Sequence, residues 1–305
     1  MKKFYLNNSL FFNRLRHLSF GLMAVMCLIF LPALCTPARS QNSTENNVEE
    51  VEGSAPIEIT AQDTLEWDRE NKTYTAMGNA VAKQEDTVLK AETLIADYKL
   101  DNQDKITIWR IRAKTGVSLS SSEGTAYGDQ AHYIVSSGKA EMTGKNLKLV
   151  SPDQIITARD KFEYYSQDNK FIALGNVVAQ RKKDTLKADK MIAYFKNGSG
   201  DKETLDKLEA IGNVVIITPD ETLYGRAGDY DPDTKIAEIV GNVRIERGPN
   251  LLTGNRASVN LNTNISRVYG SKGADQKVKG LFFPQSDDNS DQNKTEDQSH
   301  NVDIN

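Results

Sequence analysis

The sequence predicts an all-β protein: a long, curved antiparallel β-jellyroll built from tandem repeats. Three observations predict it. The chain matches itself when shifted by 97 residues, its apolar residues alternate with period two, and long apolar stripes of helical spacing are absent from 55 to 270. Of its 305 residues 38% are hydrophobic and 26% charged, enough to bury a core.

The first forty residues read as an export signal. Lys2, Lys3, Arg14, Arg16 and His17 precede an apolar run from Leu18 to Leu34, and small residues follow at Thr36 to Ser40. The preferred cleavage follows Ser40, with Ala38 two positions before it; an uncleaved anchor helix is the alternative. Cys27 and Cys35 both lie here, so the rest of the chain has no disulfide, cysteine nucleophile or cysteine-based metal site. Residues 41–54 read as a polar linker and 285–305 as an acidic tail, both too poor in apolar residues to order themselves.

Residues 55–284 carry the repeat, as one long unit or as two, 55–157 and 158–284. Under the 97-residue shift Ala61-x-Asp63 falls on Ala158-x-Asp160, and Gly78-Asn79 on Gly175-Asn176. Leu89-Lys90-Ala91 falls on Leu186-Lys187-Ala188, and Tyr133 on Tyr230. Within each unit, Ile239, Val243 and Ile245 alternate with Asn242, Arg244 and Glu246, the pattern of a strand with one buried face. Turn signals such as Asp68-Arg-Glu-Asn71, Ser166-Gln-Asp-Asn169 and Asp231-Pro-Asp-Thr234 separate the runs, which predicts about fifteen strands in a meander. Gly-Asn pairs recur at 78–79, 175–176, 212–213 and 241–242 inside strand patterns. Repeated at one level, a bulge there would bend the whole sheet into a trough; a hairpin turn is the alternative.

The face in register holds Ala80, Ala82, Val117, Leu119, Val177, Ala179, Val214, Ile216, Val243 and Ile245, the expected lining of the trough. Its small side chains would leave room for a lipid; a filled core touching no ligand is the other reading. Tyr74 and Phe171, at matching positions, are candidates for the rim or wall. Trp67 and Trp109 would sit against lipid or pack. Lys90 and Lys187 would meet lipid phosphates or be solvated.

Charge and composition exclude other classes. Beyond residue 40 the chain carries a net charge of −9, which argues against a general nucleic-acid binder. Its histidines are His17, His132 and His300, too few for a histidine-built metal or catalytic site. Phosphate loops and nucleophile elbows are absent, so neither enzyme activity nor a cofactor is expected.

The opening Pro56-Ile57-Glu58-Ile59-Thr60-Ala61, the Tyr/Phe-x-Ala-x-Gly-Asn-x-Val strand and the Leu-Lys-Ala strand ending in Ala-x-Tyr/Phe resemble the OstA/LptA family of lipopolysaccharide transport proteins over about residues 55–270. The resemblance implies a periplasmic carrier whose V-shaped sheet shelters acyl chains and bridges the inner and outer membranes. It implies LptC-like inner-membrane and LptD-like outer-membrane jellyroll partners, joined by edge-strand addition at Ile57–Leu65 and Leu251–Tyr269, and head-to-tail stacking of copies. An LptC-like anchored subunit and a structural β-repeat protein of the cell envelope are the alternative functions. The repeated region is longer than one short domain of this type needs.

Overall fold

A computed structural model describes residues 57–102, 104–197, 203–260, 262–263, 265–271 and 277–283. The expected signal, linker and acidic tail lie outside the described residues.

Eighteen strands form one antiparallel sheet, with no helix among the described residues. They are β1 (Glu58–Thr60), β2 (Thr64–Asp68), β3 (Thr73–Gln84), β4 (Thr87–Leu100), β5 (Ile106–Ser121), β6 (Gly124–Ile134), β7 (Lys139–Thr143), β8 (Leu147–Val150) and β9 (Gln154–Ala158). Then follow β10 (Lys161–Tyr165), β11 (Lys170–Arg181), β12 (Asp184–Asn197), β13 (Glu203–Ile217), β14 (Thr222–Asp231), β15 (Ile236–Arg247), β16 (Asn250–Asn260), β17 (Ile265–Tyr269) and β18 (Lys279–Leu281). The excess over the expected fifteen has a simple origin. β1 with β2, β7 with β8, β9 with β10 and β17 with β18 are each one pass interrupted midway, because both members pair with the same neighbouring strand. Fourteen passes remain, joined as a meander in which each pairs with its sequence neighbours.

The interruptions lie level with a row of bulges. The registers slip between Met77 and Ala80, Lys114 and Val117, Leu174 and Val177, Ile211 and Val214, and Val240 and Val243. At each slip two consecutive residues take positive φ: Gly78-Asn79, Thr115-Gly116, Gly175-Asn176, Gly212-Asn213 and Gly241-Asn242. The Gly-Asn pairs are therefore bulges inside strands, not hairpin turns. Gly175 shows why glycine is needed: its φ is +86°, and a Cβ would lie 2.3 Å from the Asp160 carboxyl and 2.9 Å from its backbone nitrogen. Gly78 meets Asp63 in the same way, which accounts for the repeated Ala-x-Asp motif. Across these breaks the backbone stays paired, with Asp63 N donating to Met77 O at 3.1 Å and Asp160 N to Leu174 O at 3.0 Å.

The bulge row divides the sheet into two walls. On the concave side, beside the row, each large residue faces a small one: Val117 opposite Gly128, Val177 opposite Ala188, Val214 opposite Gly225 and Val243 opposite Gly254. Alternating sizes let the walls close along the bend without voids. Val117, Leu147, Val177, Val214 and Val243 are all under 2% exposed. The main core runs from Ile57 to Tyr230, and a second cluster around Leu223, Ile239, Val243 and Ile245 continues it toward the last strands.

Candidate functional site: an apolar chamber between the walls

Beyond the packed bend the walls diverge around a half-open apolar cleft of about 780 Å³, its mouth to solvent included. One wall contributes Ile111, Tyr133, Met142, Phe162, Tyr164 and Phe171, and the facing wall Leu89, Leu119, Ala126 and Leu149. Ala113, Ala131 and Ala140 supply the depressions between the larger side chains. Strand alternation places them: Ile111, Tyr133, Ala140, Tyr164 and Phe171 are cross-strand neighbours along one inward row. The Phe162 and Phe171 rings meet at 5.4 Å with a 47° tilt, which stiffens that wall. The chamber straddles the boundary between the repeats, since β7 and β10 pair there, Met142 opposite Phe162 and Ala140 opposite Tyr164.

His132, Glu141 and Glu163 also border the chamber, but strand alternation sets them between inward-facing neighbours and turns their polar ends to the convex face. Glu141 and Glu163 are cross-strand partners there, bracketed by Lys139 and Lys161. Lys161 Nζ lies 2.7 Å and Lys139 Nζ 3.2 Å from Glu163. Burial pushes the Glu163 carboxyl up, and hydrogen bonds from Lys161 and Lys139 more than reverse this, leaving it below the usual range. A second cluster holds Asp97 against Arg112 at 2.7 Å and Arg110 at 2.9 Å. Desolvation is again outweighed by the guanidinium hydrogen bonds, so Asp97 stays ionised below its ordinary range. Glu203, at the start of β13, lacks such help: burial raises its carboxyl to about 7, and Oε2 meets no hydrogen-bond donor among the described residues. Tyr164 is raised by burial, with Glu203 and Tyr133 adding to it. No group of acidic, histidine or cysteine side chains among the described residues has the grouping of a metal site.

Of the residues expected to line a trough, Leu119 and Phe171 line the chamber. Ala80, Val117, Val177, Val214 and Val243 lie in the packed row at the bend, each 0–1% exposed. Ala82, Ala179, Ile216 and Ile245 sit one inward position further out on the second wall, Ala179 and Ile245 buried and the other two half-buried. Tyr74 stacks between Trp67 at 5.6 Å and Tyr98 at 5.1 Å, toward the first edge of the sheet. Lys90 and Lys187 are exposed on the convex face, away from the chamber. Trp109 packs against Lys99 and Arg110. Sequence reasoning missed Leu89, Ala126 and Leu149 on the second wall, and Ile111, Tyr133, Met142, Phe162 and Tyr164 with the alanines between them on the half-strands across the bulges. Their signal was present in the repeat match of Tyr133 with Tyr230.

Two slightly overlapping stretches of the chain, residues 58–160 and 156–265, match one family model, described as LptA/(LptD N-terminal domain) LPS transport protein. Among solved structures, the chain is similar to LptH from Pseudomonas aeruginosa, described as the LptA homologous periplasmic component of the conserved lipopolysaccharide transport device. The identity is 10%, over 75% of this chain and 96% of that one, with a TM-score of 0.20. No curated protein matches the chain.

Proposed function

Since the chain belongs to the LptA/LptD N-terminal-domain family of lipopolysaccharide transport proteins, we propose that it is a periplasmic carrier that shelters lipopolysaccharide acyl chains between its two walls on the way to the outer membrane. The observation that carries this reading is the chamber, apolar on both sides and part of it open to solvent. Each methylene moved from water into such a site contributes about 0.8 kcal/mol, so ten methylenes contribute about 8 kcal/mol. That is enough to hold a chain that water would reject. Among the described residues the two ends of the sheet leave strand edges unpaired, β1 and β2 at one end and β17 and β18 at the other. These edges suit strand addition to LptC-like and LptD-like partners or to another copy. The binding surface is built from side-chain packing alone, which fits a carrier rather than an enzyme.

The test is lipid recovered with the protein after mild extraction, measured by mass spectrometry. Lipopolysaccharide should copurify with the wild-type chain, and Ala131→Phe, which fills the chamber, should lower its amount several-fold while circular dichroism stays unchanged. Absence of lipopolysaccharide from the wild-type protein, or full retention by the filled variant, would overturn the reading. N-terminal sequencing of the mature chain separates a cleaved carrier from an anchored one.

A further inference from the structure

The repeat allows the first edge of the sheet to be compared with the chamber, position by position. Under the 97-residue shift, Leu65 corresponds to Phe162, Trp67 to Tyr164, Tyr74 to Phe171 and Tyr98 to Phe195. In the second repeat these positions are closed over: β7 pairs with β10, and Phe162 and Tyr164 are 4% and 3% exposed. In the first repeat no strand lies beyond β2 among the described residues, and Leu65 and Trp67 are 48% and 44% exposed. The first edge thus carries half of a chamber, with its aromatic wall uncovered.

One substitution between the repeats changes the chemistry. Ser166 of the second repeat is Arg69 in the first. The Arg69 guanidinium lies 4.3 Å over the Trp67 ring. The neighbouring carboxylate, Asp68, is committed elsewhere: it accepts hydrogen bonds from the backbone of Glu70 at 2.9 Å and Asn71 at 2.8 Å and from the Asn71 amide at 2.7 Å. Arg69 is exposed and forms no ion pair among the described residues. Beneath it Trp67 Nε1 donates to Tyr98 Oη at 3.0 Å, so the ladder Trp67, Tyr74 and Tyr98 is held rigid from the edge inward.

We propose that Trp67, Arg69, Tyr74 and Tyr98 form a second lipid-binding site at the mouth of the sheet, which takes an amphiphile with a phosphorylated headgroup. Hydrocarbon lies against the aromatic ladder, which leads toward the chamber along the row Tyr74, Ala96 and Ile111. The phosphate meets Arg69, whose forked donors suit it and are not engaged in an ion pair among the described residues. This rests on the lipid-carrying reading above and assigns a place of entry to it.

The sequence holds two tryptophans, Trp67 and Trp109, so Trp109→Phe leaves one reporter at the mouth. In that background, short-chain phosphatidic acid brominated on its acyl chains should quench the Trp67 fluorescence. Arg69→Gln should raise the half-quenching concentration about tenfold, the worth of one charge-assisted hydrogen bond, and Arg69→Lys should recover part of it. Brominated diacylglycerol should need a similarly higher concentration, and inorganic phosphate should neither quench nor displace the lipid. An unchanged half-point in Arg69→Gln, equal quenching by the uncharged lipid, absence of quenching, or displacement by inorganic phosphate would each overturn the proposal. Copurified lipopolysaccharide reports on the chamber and Trp67 quenching on the mouth, so either reading can fail alone.

Discussion

Replacing Gly175 by alanine tests the origin of the bend. Two costs are predicted. At φ +86° an L-residue is strained by about 1–2 kcal/mol. The added Cβ would also lie 2.3 Å from Asp160 Oδ2 and 2.9 Å from its backbone nitrogen; opening such a contact costs about another 1–2 kcal/mol. Together these give about 2–4 kcal/mol, a fall in Tm of roughly 5–15 °C for a folded region of this size. Gly116 supplies the control. Its φ is +63°, yet a Cβ there would meet nothing within 4 Å, so Gly116→Ala should cost only about 1 kcal/mol. Thermal and urea unfolding followed by circular dichroism measure both. Asp160→Ala in the Gly175→Ala background removes the carboxyl and should return part of the loss, while the backbone contact keeps the rest. If Gly175→Ala costs no more than Gly116→Ala, close packing of the bulge against the broken pass is not what fixes the bend.

Three further outcomes follow from side chains already placed. Phe162→Ala removes a 4% exposed ring that borders an existing cavity; urea unfolding should show a loss near the lower end for such truncations, about 3 kcal/mol. Asp97→Asn should destabilise the fold at neutral pH, because Arg110 and Arg112 lose their shared carboxylate. The Asp97 carboxyl is depressed in the folded state, so its contribution is present above the ordinary aspartate pKa and vanishes as the pH falls through the depressed value; the wild-type and variant melting curves should converge in acid. Glu203 has the opposite sign. Its folded pKa, about 7, lies above the ordinary glutamate value of 4.5, so stability falls as the pH rises from about 4.5 to 7. Glu203→Gln should abolish that slope and, at pH 8, raise the unfolding free energy by on the order of 1 kcal/mol once solvent screening is allowed for.

Much of the sheet was legible in the sequence because one physical signal, period-two alternation, was repeated at a fixed interval. The Gly-Asn pairs gave away the bulges since apolar residues continue in step across them, as Ile239, Val243 and Ile245 do. The interrupted passes were not legible. The break between β7 and β8 is carried by Gly144-Lys145-Asn146, which reads like any degenerate repeat, and what it does depends on Asp129 of the neighbouring strand. The chamber was only half legible. Alanine and valine suggest room for a ligand, whereas beside the bulges those sizes face each other across strands and are buried, as with Val177 opposite Ala188. The open space lies where larger residues hold the walls apart, and which half of a strand does so depends on the divergence of the walls, a property of the whole sheet.

The meander has a geometric corollary. Adjacent passes are spaced about 4.8 Å apart, so each 97-residue repeat, six passes, adds about 29 Å along the axis while the cross-section stays the same. Gene duplication in this architecture is therefore a change of reach: copying a segment lengthens the molecule by a fixed increment, without redesigning its profile.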